Sequence, residues 1–284
     1  MKRYNDFCGW YFKISSGDES FAFIPAIHTS CGRQNGSVQF IGASENRYVP
    51  FPADACRVER KNPGAVIGEN IFSPDGMHIH LNANGFPING SLRFGPPAQL
   101  SYDIMGPFGL VPFLECRHSV FSMRHEVNGT LQIGERLYRF DNGAGYIEGD
   151  RGRSFPRKYL WTQCLFERGS LMLAVAEIPL GAMRFNGVIG IVWLDGAEYR
   201  IATYLNAKIL KIGKNEVVIR QGDLTLTAVM LDAPSAALCA PDRGAMTRTI
   251  RENIVCRARY ELRRNHRILL ALESSQASFE FEYP

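Results

Sequence analysis

The sequence has no long apolar run. Among its 284 residues, the longest apolar candidates, Leu171–Ala176 and Gly187–Leu194, have the length of strands, whereas a membrane-spanning helix needs about 18 residues or more. The segment Met1–Phe7 lacks the apolar core of a signal peptide. The seven cysteines form no C-x-x-C pair, which favours free thiols in a reducing compartment over a disulfide framework. We therefore expect a soluble cytoplasmic protein.

Several motifs that carry cofactors or nucleophiles are also missing. There is no Gly-x-Ser-x-Gly elbow, no Walker lysine after a glycine-rich loop, and no third glycine in the run Gly143–Glu148. His78 and His80 share one strand face, but no carboxylate follows them at metal-ligand spacing, so a hydrogen-bonded pair is favoured over a metal site. The sequence therefore predicts neither a metal nor a cofactor.

Charge gives little support for a nucleic-acid partner. The chain has 32 Lys+Arg and 28 Asp+Glu, a net charge of +4. A basic stretch runs from Arg257 to Arg267, but acidic residues such as Glu261 and Glu273 are interspersed or close by. A solvated strand face is the favoured interpretation of this stretch.

Helical periodicity is scarce, and turn signals are frequent. Only Met246–Ile254 has apolar residues four apart, and a period of two fits that stretch equally well. Asn-Gly and Asp-Gly pairs are typical of tight hairpin turns. Eight such pairs occur, at Asn35-Gly36, Asp75-Gly76, Asn84-Gly85, Asn89-Gly90, Asn128-Gly129, Asn142-Gly143, Asn186-Gly187 and Asp195-Gly196. The sequence therefore predicts an all-β protein built from antiparallel hairpins, with little helix.

A faint repeat divides the chain into halves. Trp10 followed by Ser20–Ile27 resembles Trp161 followed by Ser170–Pro179, with offsets of 151 and 150 residues. Chance similarity between β sequences is an equally good explanation of this pattern. We take two related β-barrels as the working architecture, with an N-terminal half over 1–142 and a C-terminal half over 143–284. A small-molecule site is then expected inside one barrel or between the two.

The sequence is most distinctive between Met105 and Gln163. The characteristic segments are Met105–Phe108, Glu115–His118, Gly145–Pro156 and Tyr159–Gln163, together with Gly9–Lys13, Ser20–Phe23 and Tyr199–Tyr204. With these segments the chain resembles the tocopherol cyclase family, particularly its bacterial members of unassigned activity. The resemblance implies a lipocalin-like fold in two halves and kinship with enzymes that cyclise or hydrate polyenes. One position departs from the family pattern, because Arg151 stands where the family usually carries tryptophan.

Two carboxyl groups are the main catalytic candidates. Cyclisation of a prenylated phenol requires a carboxylic acid that protonates an alkene, and burial keeps such an acid neutral. Glu148 and Asp150 are two residues apart, so on a strand they point to the same side, where two like charges held close raise the pKa of one of them. We take Asp150 as the first candidate for the general acid and Glu148 as its partner or as the donor itself. The alternative is that both carboxylates hold the turn after Asp150 by accepting hydrogen bonds.

The remaining candidates surround these carboxyls in sequence. His118 is a candidate base, because histidine titrates near neutrality, although a structural histidine is the more frequent case. Five residues are candidates for substrate binding: Trp161 as an aromatic wall, Gln163 as an orienting amide, and Tyr159, Glu115 and Arg151 beside them. The favoured function is a tocopherol-cyclase-like enzyme for acid-catalysed cyclisation or hydration of a prenylated or polyene substrate.

Two other functions stay open at this stage. One is a non-catalytic, lipocalin-like carrier of an apolar small molecule, and the other is an isomerase that needs no strong acid. The expected partner is in every case a hydrophobic small molecule, and peripheral contact with a membrane is left open. The sequence does not indicate an oligomeric state.

Overall fold

The computed structural model describes residues 5–43, 45–111, 114–180, 183–232 and 236–283. Within these residues the chain forms two antiparallel sheets and no α-helix, which confirms the all-β prediction. Three short 3₁₀ turns occur, at Ala53–Ala55, Gly106–Leu110 and Thr203–Leu205. No helix in the described part of the chain has the length and apolarity to cross a bilayer.

The first sheet has eleven strands in the order β4-β3-β2-β1-β11-β10-β9-β8-β7-β6-β5. Their bounds are β1 Asp6–Ser16, β2 Glu19–Ser30, β3 Arg33–Ile41, β4 Asn46–Pro52, β5 Cys56–Val58, β6 Ala65–Ile67, β7 Asn70–Ser73, β8 Gly76–Ala83, β9 Phe86–Phe94, β10 Cys116–Ile133 and β11 Arg136–Gly152. Because β11 pairs with both β1 and β10, the last strand of this sheet lies at its centre.

The second sheet repeats this order. It runs β15-β14-β13-β12-β21-β20-β18-β17-β16, with β19 paired to β20. Its strands are β12 Tyr159–Phe166, β13 Gly169–Leu180, β14 Met183–Leu194, β15 Ala197–Ala202, β16 Lys208–Gly213, β17 Glu216–Gln221, β18 Leu224–Met230, β19 Ala236–Asp242, β20 Ala245–Arg264 and β21 Arg267–Phe281. Here too the last strand pairs with the first, since β21 lies between β12 and β20.

Each sheet encloses an apolar core of its own. In the first sheet, alternate residues of β1 such as Trp10, Phe12 and Ile14 belong to one buried cluster. In the second, Leu160 and Cys164 of β12 belong to another. This period of two is the strand geometry that puts one face toward the core and leaves the other face for further contacts.

The chain forms two compact units. The first comprises the described residues within 1–103, 113–155 and 239–249, and the second those within 104–112, 156–238 and 250–284. The junction predicted between residues 142 and 143 falls inside β11. Each unit therefore contains residues from the opposite half of the sequence, 143–155 and 239–249 in the first unit and 104–112 in the second.

Only some of the predicted hairpin turns are turns. Asp75-Gly76, Asn84-Gly85 and Asp195-Gly196 connect consecutive strands, whereas the other five Asn-Gly pairs lie within strands. Asn128-Gly129, for example, lies where the pairing of β10 with β11 shifts register. A bulge needs the same unusual backbone freedom as a tight turn, so the dipeptide predicts either feature. Met246–Ile254 is part of β20, as a period of two predicts.

Candidate active site

The candidate site lies on the central strands of the first sheet. Tyr146, Glu148 and Asp150 alternate along β11 and share one face, while Ile147 between them belongs to the apolar core on the other face. The pairing of β10 with β11 sets His118 directly opposite Asp150. Three strand positions and one cross-strand pair therefore bring four titratable side chains together.

The imidazole of His118 bridges the two carboxyl groups. Its Nδ1 lies 3.1 Å from Asp150 Oδ1, in a hydrogen bond. Its Nε2 lies 3.2 Å from Glu148 Oε2, but the alignment is poor, so this contact is an ion pair rather than a directed hydrogen bond. The sequence predicts that the two carboxyls are partners of each other, and in the structure each is instead a partner of the histidine.

Two further donors complete the cluster. The Tyr146 hydroxyl donates to Glu148 Oε2 at 2.5 Å, and the Cys116 thiol donates to Asp150 Oδ1 at 3.3 Å. Glu148 is thus held by a phenol and an imidazole, and Asp150 by a thiol and the same imidazole. Hydrogen bonds of this kind fix both carboxylates in single orientations.

The two carboxyls differ in accessibility. The side chain of Glu148 is 6% exposed, whereas that of Asp150 is 24% exposed. Both contacts of Asp150 are made by Oδ1, and within the described part of the chain Oδ2 makes no hydrogen bond. Asp150 is therefore the carboxyl with an oxygen available to a ligand.

Burial and charge set the protonation of the neighbouring groups. Burial lowers the pKa of His118, but the Glu148 and Asp150 carboxylates outweigh it and raise that pKa well above its ordinary value. Burial, reinforced by the Asp150 carboxylate, raises the pKa of the Cys116 thiol well above its usual range. Burial and the Glu148 carboxylate do the same for the pKa of Tyr146. At neutral pH His118 is therefore an imidazolium, and the thiol and the phenol of the cluster are protonated.

The same cluster offers a set of metal ligands. One donor atom each from His118, Glu148 and Asp150 lie within 4.8 Å of one another. Imidazole and carboxylate are ligands that zinc and non-haem iron accept, but a metal would have to displace the proton of the charged His118. The other two candidate ligands, His78 and His80, lie on the exposed surface. His78 is hydrogen-bonded to Ser91, and His80 is paired with Glu69.

Arg151 and Glu115 take other positions. Arg151 follows Asp150 on the strand and alternates to the opposite face, where its Nη1 donates to the carbonyl of Arg60 at 2.6 Å. The side chain of Glu115 is exposed. Its carbonyl accepts hydrogen bonds from the backbone N–H groups of Arg153 and Ser154. The backbone carbonyl of Glu115 therefore holds the turn after β11.

Tyr159, Trp161 and Gln163 belong to the second unit. They alternate along β12 on the face opposite to its apolar core, and all three are buried. The Tyr159 hydroxyl donates to the carboxylate of Glu280, which is itself buried. These residues share one strand face as predicted. Their strand is neither β10, which carries His118, nor β11, which carries Glu148 and Asp150.

Sequence reasoning assigns no catalytic or binding role to Tyr146 or Cys116. Both have a signal in the sequence. Tyr146 is two residues before Glu148, and Cys116 is two residues before His118, so the strand period puts each on the face of its neighbour. A step of two residues back from Glu148 on one strand, and from His118 on the other, would have identified both donors.

The fold and the site define a two-sheet β protein with a buried histidine–carboxylate cluster. Among solved structures it is similar to CghA in complex with Sch210972, with a TM-score of 0.62 and 9% identity over 98% of this chain and 88% of that chain. It is also similar to kievitone hydratase from Nectria haematococca, with a TM-score of 0.55 and 8% identity over 98% and 89% of the two chains. At such identities the likeness establishes the fold alone. No family model and no curated protein matches the sequence.

Proposed function

We propose that the protein is an enzyme for acid-catalysed cyclisation or hydration of an apolar, prenylated or polyene small molecule, of the type found in the tocopherol cyclase family. The observation that carries this proposal is the His118 imidazolium held between Glu148 and Asp150. A non-catalytic carrier needs only a dry cavity, whereas a histidine between two carboxyls, one of which keeps an oxygen available to a ligand, is the arrangement expected of an acid–base site.

Asp150 acts as the proton donor in this proposal. Its Oδ2 is available to a ligand, while Oδ1 is bonded to His118 and Cys116. An apolar substrate that covers Oδ2 displaces its water and so favours the neutral, protonated acid. When Oδ2 gives up its proton, the imidazolium lies 3.1 Å from the carboxylate that forms and stabilises its charge. Glu148, which is itself held by the Tyr146 hydroxyl, contacts the imidazole from its other side, so that the charge is in place before the reaction begins.

The proposed cycle returns the proton to its source. The proton of Asp150 forms a new C–H bond with an alkene carbon of the substrate, which leaves a carbocation on the adjacent carbon. A substrate hydroxyl, or a water molecule, attacks that carbon and forms a C–O bond. The O–H proton released from the attacking oxygen goes back to the Asp150 carboxylate. The first nucleophile gives cyclisation and the second gives hydration.

The names of the structural neighbours support this class of reaction. One neighbour is a hydratase, and the other was crystallised with a small molecule. The resemblance of Gly145–Gln163 to the tocopherol cyclase family supports it further, because Glu148 and Asp150 lie within that segment.

Turnover of a geranylgeranylated hydroquinone, measured by liquid chromatography and mass spectrometry, tests the proposal. We expect Asp150→Asn to lower the rate by about 10²-fold or more, as loss of a general acid does, and His118→Gln to act in the same direction. Asp141→Asn, an exposed aspartate on the same strand, is the matched control and should leave the rate unchanged. Unimpaired turnover by Asp150→Asn would exclude this residue as the acid.

The carrier alternative makes a different prediction. Native mass spectrometry of protein purified from its own host would then show an apolar ligand that is released unaltered, with no product from any tested substrate. A chelator distinguishes acid catalysis from metal-dependent catalysis. Loss of turnover in its presence would show that His118, Glu148 and Asp150 bind a metal ion and do not act by proton transfer alone.

A further inference from the structure

A fully buried amide on β12 lacks hydrogen-bond partners. Gln163 is 0% exposed, and neither its Nε2 nor its Oε1 has a partner within the described residues. The hydroxyl of Ser170 on the neighbouring strand β13 is also buried and without a partner there. Buried polar atoms in native proteins are nearly always bonded, so three such atoms on one sheet require an explanation.

The strand register puts these atoms side by side. Gln163 lies opposite Met172 on β13, and Ser170 lies opposite Leu165, one alternation further along β12. Gln163 and Ser170 are therefore diagonal neighbours on one face, within reach of the same small group. The flanking side chains on that face, Met172 and Trp161, are apolar and buried.

The adjacent residue on the same strand shows the ordinary arrangement. Thr162 is also 0% exposed, but its hydroxyl is hydrogen-bonded to the Tyr260 hydroxyl and to the Ser278 carbonyl. On the core-facing side of this strand the buried hydroxyl of Thr162 is therefore hydrogen-bonded. On the other side the buried amide of Gln163 has no partner within the described residues. An unpaired buried amide destabilises the folded state, and such a cost is typical of groups that bind a ligand.

We propose that Gln163 and Ser170 bind the polar end of an apolar ligand, and that this end is a carboxylic acid or an unsubstituted amide. A glutamine amide offers an N–H donor beside a carbonyl acceptor. A ligand group that pairs with this amide needs an acceptor for the N–H and a donor for the carbonyl. A protonated carboxylic acid and an unsubstituted amide each have both. Met172 and Trp161 then contact the adjoining apolar chain. This inference concerns recognition alone and does not depend on the proposed proton transfer.

Thermal unfolding of the ligand-free protein tests the inference without any ligand. We expect Gln163→Met to raise the melting temperature by about 2 °C or more, because it removes an unsatisfied amide at nearly constant volume. Ser170→Ala should raise it by less. Thr162→Val is the matched control, and it should lower the melting temperature because it breaks satisfied bonds. A decrease for Gln163→Met would show that the amide is structural and would overturn the proposal.

Binding of two retinoid probes tests the chemistry of the ligand. All-trans-retinamide and N,N-dimethylretinamide share one chain, but only the first carries N–H donors. The wild type should bind retinamide about tenfold more tightly or better, and Gln163→Met should bind both probes alike. Equal binding of the two probes by the wild type, or binding of neither, would overturn the proposal.

The Asp150→Asn variant separates this inference from the proposed function. It should keep the wild-type preference for retinamide whether or not it turns over any substrate. Loss of turnover with the preference intact would support both proposals. Turnover that survives in Asp150→Asn would show that Asp150 is not the acid, and it would not affect the proposed recognition site. If Gln163→Met does not fold, the comparison of the two probes on the wild type decides alone.

Discussion

Two histidines of one strand show how environment decides the state of a residue. His118 lies between two carboxylates, which raise its pKa well above the ordinary value. His125 lies seven residues further along β10, its ring 4.6 Å from that of Phe94 and its Nδ1 2.9 Å from the Ser122 hydroxyl. Burial lowers the pKa of His125 to about 4. The first histidine is therefore charged at neutral pH, and the second is neutral.

The low pKa of His125 predicts loss of stability in mild acid. In the unfolded chain this histidine has its ordinary pKa of 6.5, whereas in the folded protein its pKa is about 4. The contribution of His125 to stability therefore falls with the pH through this window, by about 2 kcal/mol between about pH 7.5 and about pH 5. His125→Phe removes the titration, while the Ser122 hydroxyl keeps its bond to the carbonyl of Arg124.

Urea unfolding of both proteins across this pH range gives the measurement. The free energy of unfolding of the wild type should fall relative to that of His125→Phe, by the amount given above. Curves that stay parallel from about pH 7.5 to about pH 5 would show that His125 is not the titrating group.

At the scale of the strand, β11 carries the site on one face and the core on the other. The period of two is sufficient to predict that Glu148 and Asp150 share a face. It is not sufficient to predict that His118 lies between them, because that depends on which residues of β10 and β11 pair. The pairing shifts register at three points along β10. Asn128-Gly129 marks one of these bulges, but no Asn-Gly or Asp-Gly pair marks the two between Val120 and His125.

Gly149 has a packing role between the two carboxyl residues. It lies opposite Trp10 on β1, and a Cβ at this position would lie 2.5 Å from Cε3 of the indole ring. Trp10 is fixed in the core by its Nε1 donor to the carbonyl of Glu59 at 2.7 Å. The glycine therefore lets the strand pass directly beneath the indole.

Gly149→Ala should consequently destabilise the fold. Overpacking of this kind costs about 1–3 kcal/mol, to be measured by urea unfolding. Gly109→Ala is the control, because its Cβ would meet only Met105, at an ordinary 3.9 Å, and its effect should stay within about 0.5 kcal/mol. Equal effects of the two substitutions would contradict the packing role of Gly149.

At the scale of the whole molecule, the repeat seen in the sequence corresponds to a repeated strand order. Each sheet begins with a four-strand meander and places its last strand against its first. Yet Trp10 belongs to the core of its sheet, and Trp161 lies on the face opposite to the core of its own. The offset is 151 residues for the two tryptophans and 150 for the segments that follow them. Because a shift of one residue moves a side chain to the other face of a strand, the two tryptophans lie on opposite faces.

Some features of the whole chain could not be predicted from its sequence. Residues 104–112 belong to the second unit and residues 239–249 to the first. In the first unit, the Gln39 amide exchanges two hydrogen bonds with the backbone of Cys239, 200 positions away. In the second, the Tyr204 hydroxyl donates to the carbonyl of Ile104. Contacts at such separations follow from tertiary packing, which a local pattern does not encode.

Transfer of a proton from Asp150 to a substrate carbon is the central claim, and deuterium incorporation tests it most directly. The geranylgeranylated hydroquinone is incubated with the protein in D₂O, and the carbon-bound deuterium of the product is measured by mass spectrometry. The account predicts one deuterium per product molecule with the wild type and Asp141→Asn, and no product above background with Asp150→Asn. Product without carbon-bound deuterium, or deuterated product from Asp150→Asn at the wild-type rate, would contradict it.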